Sequence, residues 1–220
     1  IELKIEHLVS KEEYDQGLAV LRDAMAANPN HHHFKTLEAQ LLFYKGDLDG
    51  ARAKFDDCVR SGTANSETYR ARALFLQHTG DHETAVNQYS QALETDSENA
   101  SIYVGRGEAL LMTRRSNQAV EDLDKALAIN GHPEHGDNSA LIIRALHLRA
   151  MALEVDGNTA GALQDYALIL ELVAAEKTKV LRTMKDLAAE SSKDERQFYF
   201  FEAHMKSGLL CTKRRDFAGA

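Results

Sequence analysis

A ten-residue outline, Gly-Asp, an alanine four residues on and an aromatic four beyond that, stands at 46–55 ("GDLDGARAKF") and returns 34 residues later at 80–89 ("GDHETAVNQY"). Aligning the chain on that central small residue places Gly17, Ala51, Ala85, Ala119, Ala162 and Ala220 in one column, at intervals of 34, 34, 34, 43 and 58. Equal intervals of this size mark stacked repeats rather than a single interwoven domain. Neighbouring columns agree. Twelve residues before the anchor come Ile5, Ala39, Ala73, Gly107, Ala150 and Gly208, mostly small; nine before come Leu8, Leu42, Leu76, Leu110, Leu153 and Cys211, all apolar. Four, seven and eight after the anchor the residues are again mainly apolar, as at Phe55, Cys58 and Val59 or Leu123, Ala126 and Leu127. Those offsets lie on one helical face.

Each unit therefore reads as two amphipathic helices joined by a short turn. Gly46 and Gly80 suit the left-handed backbone where the first helix stops, and Asp47, Asp81, Asn158 and Asp216 suit capping of the second helix. Ser10 and Glu13 have the spacing of a capping box in the opening unit. Pro29, Thr63, Ser97 and Gly131 stand where the second helix should end.

The 34-residue period and these columns of small, leucine, aromatic and turn residues resemble the tetratricopeptide repeat (TPR) family. The resemblance implies an all-α fold, an α-solenoid (right-handed superhelix) of antiparallel helix pairs. It divides the chain, read as one array over 1–220, into a partial repeat 1–31 and full repeats 32–65, 66–99, 100–133 and 143–176. An inserted loop is expected at 131–142, an extra helical segment at 174–195 and a partial repeat at 196–220. Departures fall at Lys35, where a bulky residue usually opens the first helix, and in the helix-ending proline, present only at Pro29.

Two prolines, no tryptophan and 44% hydrophobic residues fit one continuous helical array. Cys58 and Cys211 occupy core-facing columns, which favours buried free thiols over a disulfide and suits a reducing, cytoplasmic compartment. No apolar run is long enough to cross a bilayer. Ile1 to Val9 reads as the later part of a first helix and "RRDFAGA" as the opening of a second, so a longer protein continuing beyond Ala220 is expected. The polar stretch Gly131–Ser139 should be a surface loop, and 174–195 keeps helical spacing, either as an extension of the preceding helix or as a separate one. Both insertions serve a partner surface or are tolerated elaborations.

No constellation for catalysis emerges: no His-Glu-x-x-His, phosphate-binding glycine loop, calcium loop or cysteine cluster. "GRGEA", Gly105 to Ala109, falls inside a repeat helix and is structural. His31, His32 and His33, with His132 and His135, are either ligands of a transition metal or solvated loop side chains; no carboxylate or thiolate partner is evident, so neither metal nor cofactor is expected. A net charge of −8 with dispersed basic residues argues against nucleic acid and membrane partners, "KRRD" at Lys213–Asp216 being too short to alter that. No small-molecule substrate is implied either.

The resemblance implies a non-catalytic scaffold or adaptor whose concave face, lined by the first helices, holds a peptide or helix of another protein. Positions fifteen, eleven, eight and seven before each anchor should face that groove: Thr36, Gln40, Phe43 and Tyr44; Arg70, Leu74, Gln77 and His78; Val104, Glu108, Leu111 and Met112; His147, Met151, Glu154 and Val155. Such a surface would bury an apolar or amphipathic segment, with Arg70, Glu108 and Glu154 setting register. The alternative is that some of these residues pack between successive first helices and the partner binds elsewhere. Family members that clamp the C-terminal carboxylates of Hsp70 or Hsp90 do so with lysine, asparagine and arginine, because two carboxylates need cations and amide donors. Here the clamp columns hold Thr36 and Gln40, Ala71, then Ser101 and Gly105; one repeat later they hold Arg70 and Leu74, Gly105, then Arg144 and Leu148. The clamp is missing in both registers. Two rival readings follow: a co-chaperone presenting clients to a domain elsewhere in the chain, and a metal protein or enzyme using the histidines.

Overall fold

The computed structural model describes residues 1–28, 31–130 and 139–190 of the chain, without the side chains of 32, 176 and 180–190. They form α1 (Glu2–Ser10), α2 (Tyr14–Ala27), α3 (His32–Lys45), α4 (Leu48–Arg60), α5 (Ser66–His78), α6 (His82–Thr95), α7 (Ala100–Met112), α8 (Ser116–Ile129), α9 (Ser139–Val155) and α10 (Thr159–Glu190), with no strand among the described residues. The fold is an all-α solenoid of helix pairs. Two compact units are present, Ile1–Asp165 and Tyr166–Ala220. Of the second, the described part is the continuation of α10 to Glu190.

Within the first unit the columns of the sequence become the core. Ala51, Ala85 and Ala119 have no exposed surface, and Ala39, Ala73 and Ala150 on the facing first helices are equally buried. The absence of a large side chain in either column lets the two helices of a pair approach closely. At Gly107 a Cβ would lie 3.0 Å from Leu123 Cγ and 3.5 Å from the Ala119 carbonyl oxygen. Phe55, Tyr89 and Leu123, four beyond the anchors, join Phe75, Ile102 and Val104 in one apolar cluster running from α3 to α9. Ile5, Leu21, Ala24, Phe34 and Leu41 form a second, smaller cluster where α1, α2 and α3 meet.

The turns share one backbone path. In all five, the residue four before the anchor donates its N–H to the carbonyl of the leucine column: Glu13 to Leu8, Asp47 to Leu42, Asp81 to Leu76, Arg115 to Leu110 and Asn158 to Leu153, at 2.8–2.9 Å. That six-to-one bond needs a left-handed residue just before the donor. Gly46 and Gly80 supply it at φ +90° and +86°, whereas Glu12 and Arg114 are held at φ +60° despite their side chains. Asp47, Asp81 and Asn158 then cap the next helices, accepting from the amides of Gly50, Thr84 and Gly161. Asn65 and Asn99 cap α5 and α7 in the same manner.

Two expectations change, and of two open alternatives one is taken. The capping box at Ser10 and Glu13 does not form: Ser10 is the last residue of α1, its hydroxyl donates back to the His7 carbonyl, and α2 has no side-chain cap. The left-handed Glu12 consumes the residues that the box would have used. Of the residues 131–142 expected as a loop, 139–142 are helical, because α9 begins at Ser139, where Ile142 is buried and Leu141 packs on the main cluster; 131–138 lie outside the described residues. Residues 174–190 continue the preceding helix rather than forming a separate one, as α10 is a single helix of 32 residues. Pro29, Gly131, His132, His135, Cys211, Lys213–Asp216 and the expected repeat 196–220 lie outside the described residues.

Candidate functional site

The first helices form a continuous row, α3 against α5, α5 against α7 and α7 against α9, while the second helices α4, α6 and α8 make no comparable row. In a stack of helix pairs, the row whose members lie closer together is the inside of the curve. The first helices of the unit Ile1–Asp165 therefore present the candidate groove.

Along each first helix, exposure grows from the column fifteen before the anchor to the column seven before it. Thr36 and Val104 are buried, Thr36 sharing a 2.8 Å hydroxyl hydrogen bond with Thr68, so neither offers surface to a ligand. Arg70 and His147, in the same column, are half-buried, as are Gln40, Leu74 and Glu108 in the next; Met151 there is exposed. Phe43, Gln77 and Leu111 are half-buried while Glu154 is exposed, and the last column, Tyr44, His78, Met112 and Val155, is exposed throughout. Met112 keeps 55% and Val155 71% of its surface open, large values for apolar side chains on a structured helix.

The polar residues of the groove are mostly committed to one another. Arg70 binds both oxygens of Glu67 through Nε at 2.9 Å and a terminal nitrogen at 2.8 Å, and these bonds raise its pKa above the ordinary guanidinium value despite burial. Gln40 donates to the same carboxylate at 3.3 Å. Glu108 pairs with Arg144. Tyr89 reaches in from α6 and donates its hydroxyl to Gln77 Oε1 at 2.5 Å, while Gln77 donates to the Gly105 carbonyl at 3.3 Å. Burial pushes the Tyr89 phenol well up, the Glu108 carboxylate adds to this, and Arg70 and Arg144 oppose it, so Tyr89 is a neutral donor. The ring passes beneath α7 because Gly105 has no side chain: a Cβ there would lie 2.6 Å from the ring. Aromatic rings continue the surface, Phe43 lying 5.1 Å from His78, 5.5 Å from Tyr44 and 5.7 Å from Phe75.

Between α1 and α3 the row opens into a cleft of about 530 Å³, reached also by Glu67 of α5. Sequence reasoning confined to columns of first-helix residues missed it. The spacing of two helices is a packing outcome that no column records.

Sequence reasoning also missed a polar lattice on the opposite side. Arg106 binds both carboxylate oxygens of Asp122 at 2.7 and 2.8 Å and Ser90 at 3.0 Å, thereby tying α7 to α8 and to α6. Arg149 repeats the arrangement with Asp165 at 2.9 and 2.6 Å and Asp124 at 2.6 Å, and Arg72 with Gln88 at 2.9 Å and Asp56 at 2.6 Å. In the α3–α4 pair the charges are exchanged, Lys54 meeting Glu38 at 2.8 Å. The legible signal was a pair of columns, thirteen before and three after the anchor, filled by opposite charges sixteen residues apart at Glu38 and Lys54, Arg106 and Asp122, and Arg149 and Asp165, and by Arg72 with Gln88.

The histidines near α3 have other company than a metal. His31 stacks on Phe34 with centroids 4.1 Å apart, and His33 Nε2 lies 3.3 Å from Glu2. No group of three potential metal ligands occurs among the described residues. Cys58 is a buried free thiol whose pKa burial raises. No described helix is long and apolar enough to cross a membrane.

Comparison with known proteins agrees with this geometry. The family described as tetratricopeptide repeat matches residues 3–66, and a second, described as TPR repeat, matches 78–113. A curated relative, the DnaJ homolog subfamily C member 7 homolog of Schizosaccharomyces pombe, is 24% identical over 90% of this chain and 43% of its own length. The chain thus spans less than half of that relative. Among solved structures, BtubC from P. vanneervenii superposes with a TM-score of 0.68 at 18% identity, covering 78% of each chain. MamA gives 0.64 at 17% over 79% of this chain and 96% of its own. YrrB, a TPR protein with an unusual peptide-binding site, gives 0.60 at 15% over 76% and 82%. Likeness at such identities is one of fold.

Proposed function

The chain belongs to the tetratricopeptide-repeat family, and on that premise we propose that it is a non-catalytic adaptor holding a peptide or helical segment of another protein in its concave groove. The observation that carries this reading is the exposed column at the rim of the first helices, apolar at Tyr44, Met112 and Val155 and interrupted only by His78, continued by Met151. A solvated surface has no use for such side chains in a row, whereas an amphipathic segment laid across the helices would bury them. Gln40, Arg70, Gln77 and Glu108 of the groove are already paired and so fix the shape of the surface. Arg70 in particular is neutralised by Glu67 and sets register only through the fixed pair.

The test compares proteins captured by the wild-type chain and by the Met112→Glu/Met151→Glu variant, both side chains being exposed. Proteins lost from the variant while its helical circular dichroism is unchanged support groove binding. Identical capture by the two chains would place recognition elsewhere.

A second reading, favoured by the relative's name as a DnaJ homolog, is that of a co-chaperone presenting clients to a domain elsewhere in its chain. Suppression of the aggregation of a heat-denatured test protein, lost in the same groove variant, would support it; no suppression would remove it. A cytoplasmic location belongs to the same proposal and rests on the buried free thiol alone.

A further inference from the structure

We propose that the cleft between α1 and α3 seats a basic amphipathic segment of a partner protein, one apolar side chain entering the cleft and lysine or arginine side chains meeting its rim. The inference rests on the adaptor reading and specifies the chemistry of the occupant. Elsewhere in the row each first helix packs closely on the next, whereas α1 and α3, joined at their base by the cluster that holds Ile5 and Leu41, flank a cleft of about 530 Å³, a volume in the range of sites that take one or a few side chains. Val9 and Leu37 are half-buried on its walls, with Ile5 and Leu41 buried beneath them, so the interior is apolar.

The rim has one sign of charge. Glu2, Glu6 and Glu67 line the opening and no lysine or arginine does; with Glu67 neutralised by Arg70, the open charge of the rim is that of Glu2 and Glu6. Glu67 is held in place by Arg70 and Gln40, and Glu2 faces His33, whereas Glu6 is exposed and has no ion-pair partner among the described residues. An apolar pocket edged by carboxylates discriminates by charge: a lysine beside the anchoring side chain gains Coulomb attraction, and a glutamate there is repelled. The columns that would hold cations for an acidic tail carry Thr36 and Gln40 at this end, which points the same way. The net charge of −8 adds a favourable long-range field for a basic segment, but that field acts over the whole surface and must be separated from the cleft.

The experiment measures fluorescence anisotropy with a labelled amphipathic peptide of leucine and lysine and with its leucine and glutamate counterpart. Three chains are compared: wild type, Glu2→Lys/Glu6→Lys at the rim, and Glu94→Lys/Glu121→Lys, two exposed positions on the second helices α6 and α8 that change net charge equally. The leucine–lysine peptide is expected to bind wild type and the second-helix variant alike, and the rim variant about tenfold more weakly. Equal weakening in both variants would reduce the effect to net charge and overturn the proposal, as would equal binding of the glutamate peptide. A benzophenone-bearing leucine–lysine peptide, photolysed with the wild-type chain, is expected to crosslink to α1 and α3; crosslinks confined to other helices would overturn the proposal even if a rim variant unfolds. Failure here leaves the capture result of the Met112→Glu/Met151→Glu variant standing, so the general adaptor reading and its basic occupant fall separately.

Discussion

In the α5–α8 block the helices α5, α6 and α7 start on side-chain caps, Asn65, Asp81 and Asn99, and Arg72 and Arg106 each tie three helices together; in the α1–α2 hairpin and α3 no helix has a side-chain cap. The residues that occupy the arginine and aspartate columns of the hairpin are Lys4 and Val20, which cannot pair. Its core is the smaller cluster around Leu21 and Phe34, and it borders the cleft. Both regions follow the same backbone path, down to the six-to-one bond in the turn. The period therefore specifies the path, and the contents of a few columns specify how firmly each pair is fastened. The cleft falls in this less firmly fastened part, where two helices can be spread at little cost in lost polar contacts.

The largest effect that sharpens this contrast is expected from Arg106→Leu. Asp122 is only 3% exposed, and without the guanidinium its carboxylate is buried and unpaired, so stability should fall by about 3 kcal/mol, read as a lower urea midpoint. Arg106→Met with Asp122→Leu should return most of the loss, and Lys4→Leu in the hairpin should change stability by less than about 0.5 kcal/mol. A large loss at Lys4 would break the comparison.

Gly105→Ala comes next. The new Cβ meets the Tyr89 ring and must displace it from Gln77, at a cost of about 2 kcal/mol in thermal or urea unfolding. Gly17→Ala, in the hairpin's anchor column, meets only the Leu41 methyl groups at 3.3 Å and should lie within about 1 kcal/mol of wild type, since gained helix propensity offsets the crowding.

Asn99→Ala removes a cap and should cost about 1 kcal/mol, whereas Ser10→Ala, whose hydroxyl only returns to the His7 carbonyl, should cost less than about 0.5 kcal/mol. Equal costs at the two positions would restore the capping box that the turn at Glu12 displaces. The smallest effect is a gain: Arg114→Gly relieves a left-handed backbone at φ +60° and should stabilise the α7–α8 turn by about 0.5 kcal/mol, after the entropy of glycine is set against the relief. Glu12→Gly should act with the same sign in the hairpin.

Much of the exposure along the candidate groove was legible because exposure on a first helix follows from its phase relative to the anchor. Tyr44, His78, Met112 and Val155, farthest round the helix from the small-residue column, are all exposed. Thr36 and Val104 were not legible as buried. Their column lies at the junction of successive first helices, and whether it is covered depends on what the neighbouring repeat presents, as Thr68 does to Thr36. Two of the three arginines of the lattice, Arg106 and Arg149, were written in the sequence with an aspartate sixteen residues on, but their column is polar and such columns ordinarily read as solvent-facing.

By itself the sequence determined the repeat, the helix pairs and the family, because a 34-residue period of small and apolar columns can bury its faces only by stacking like units. It also determined the turns that carry Gly46 and Gly80, where the residue type and the backbone conformation agree. Only the tertiary structure decided that Glu12 and Arg114 take the same left-handed conformation, since two packed helices fix the chain path between them and override a local cost of about 1–2 kcal/mol. It alone decided that a cleft opens between α1 and α3 above the apolar cluster they share, because such a gap is set by the side chains of three helices at once and by no column of one.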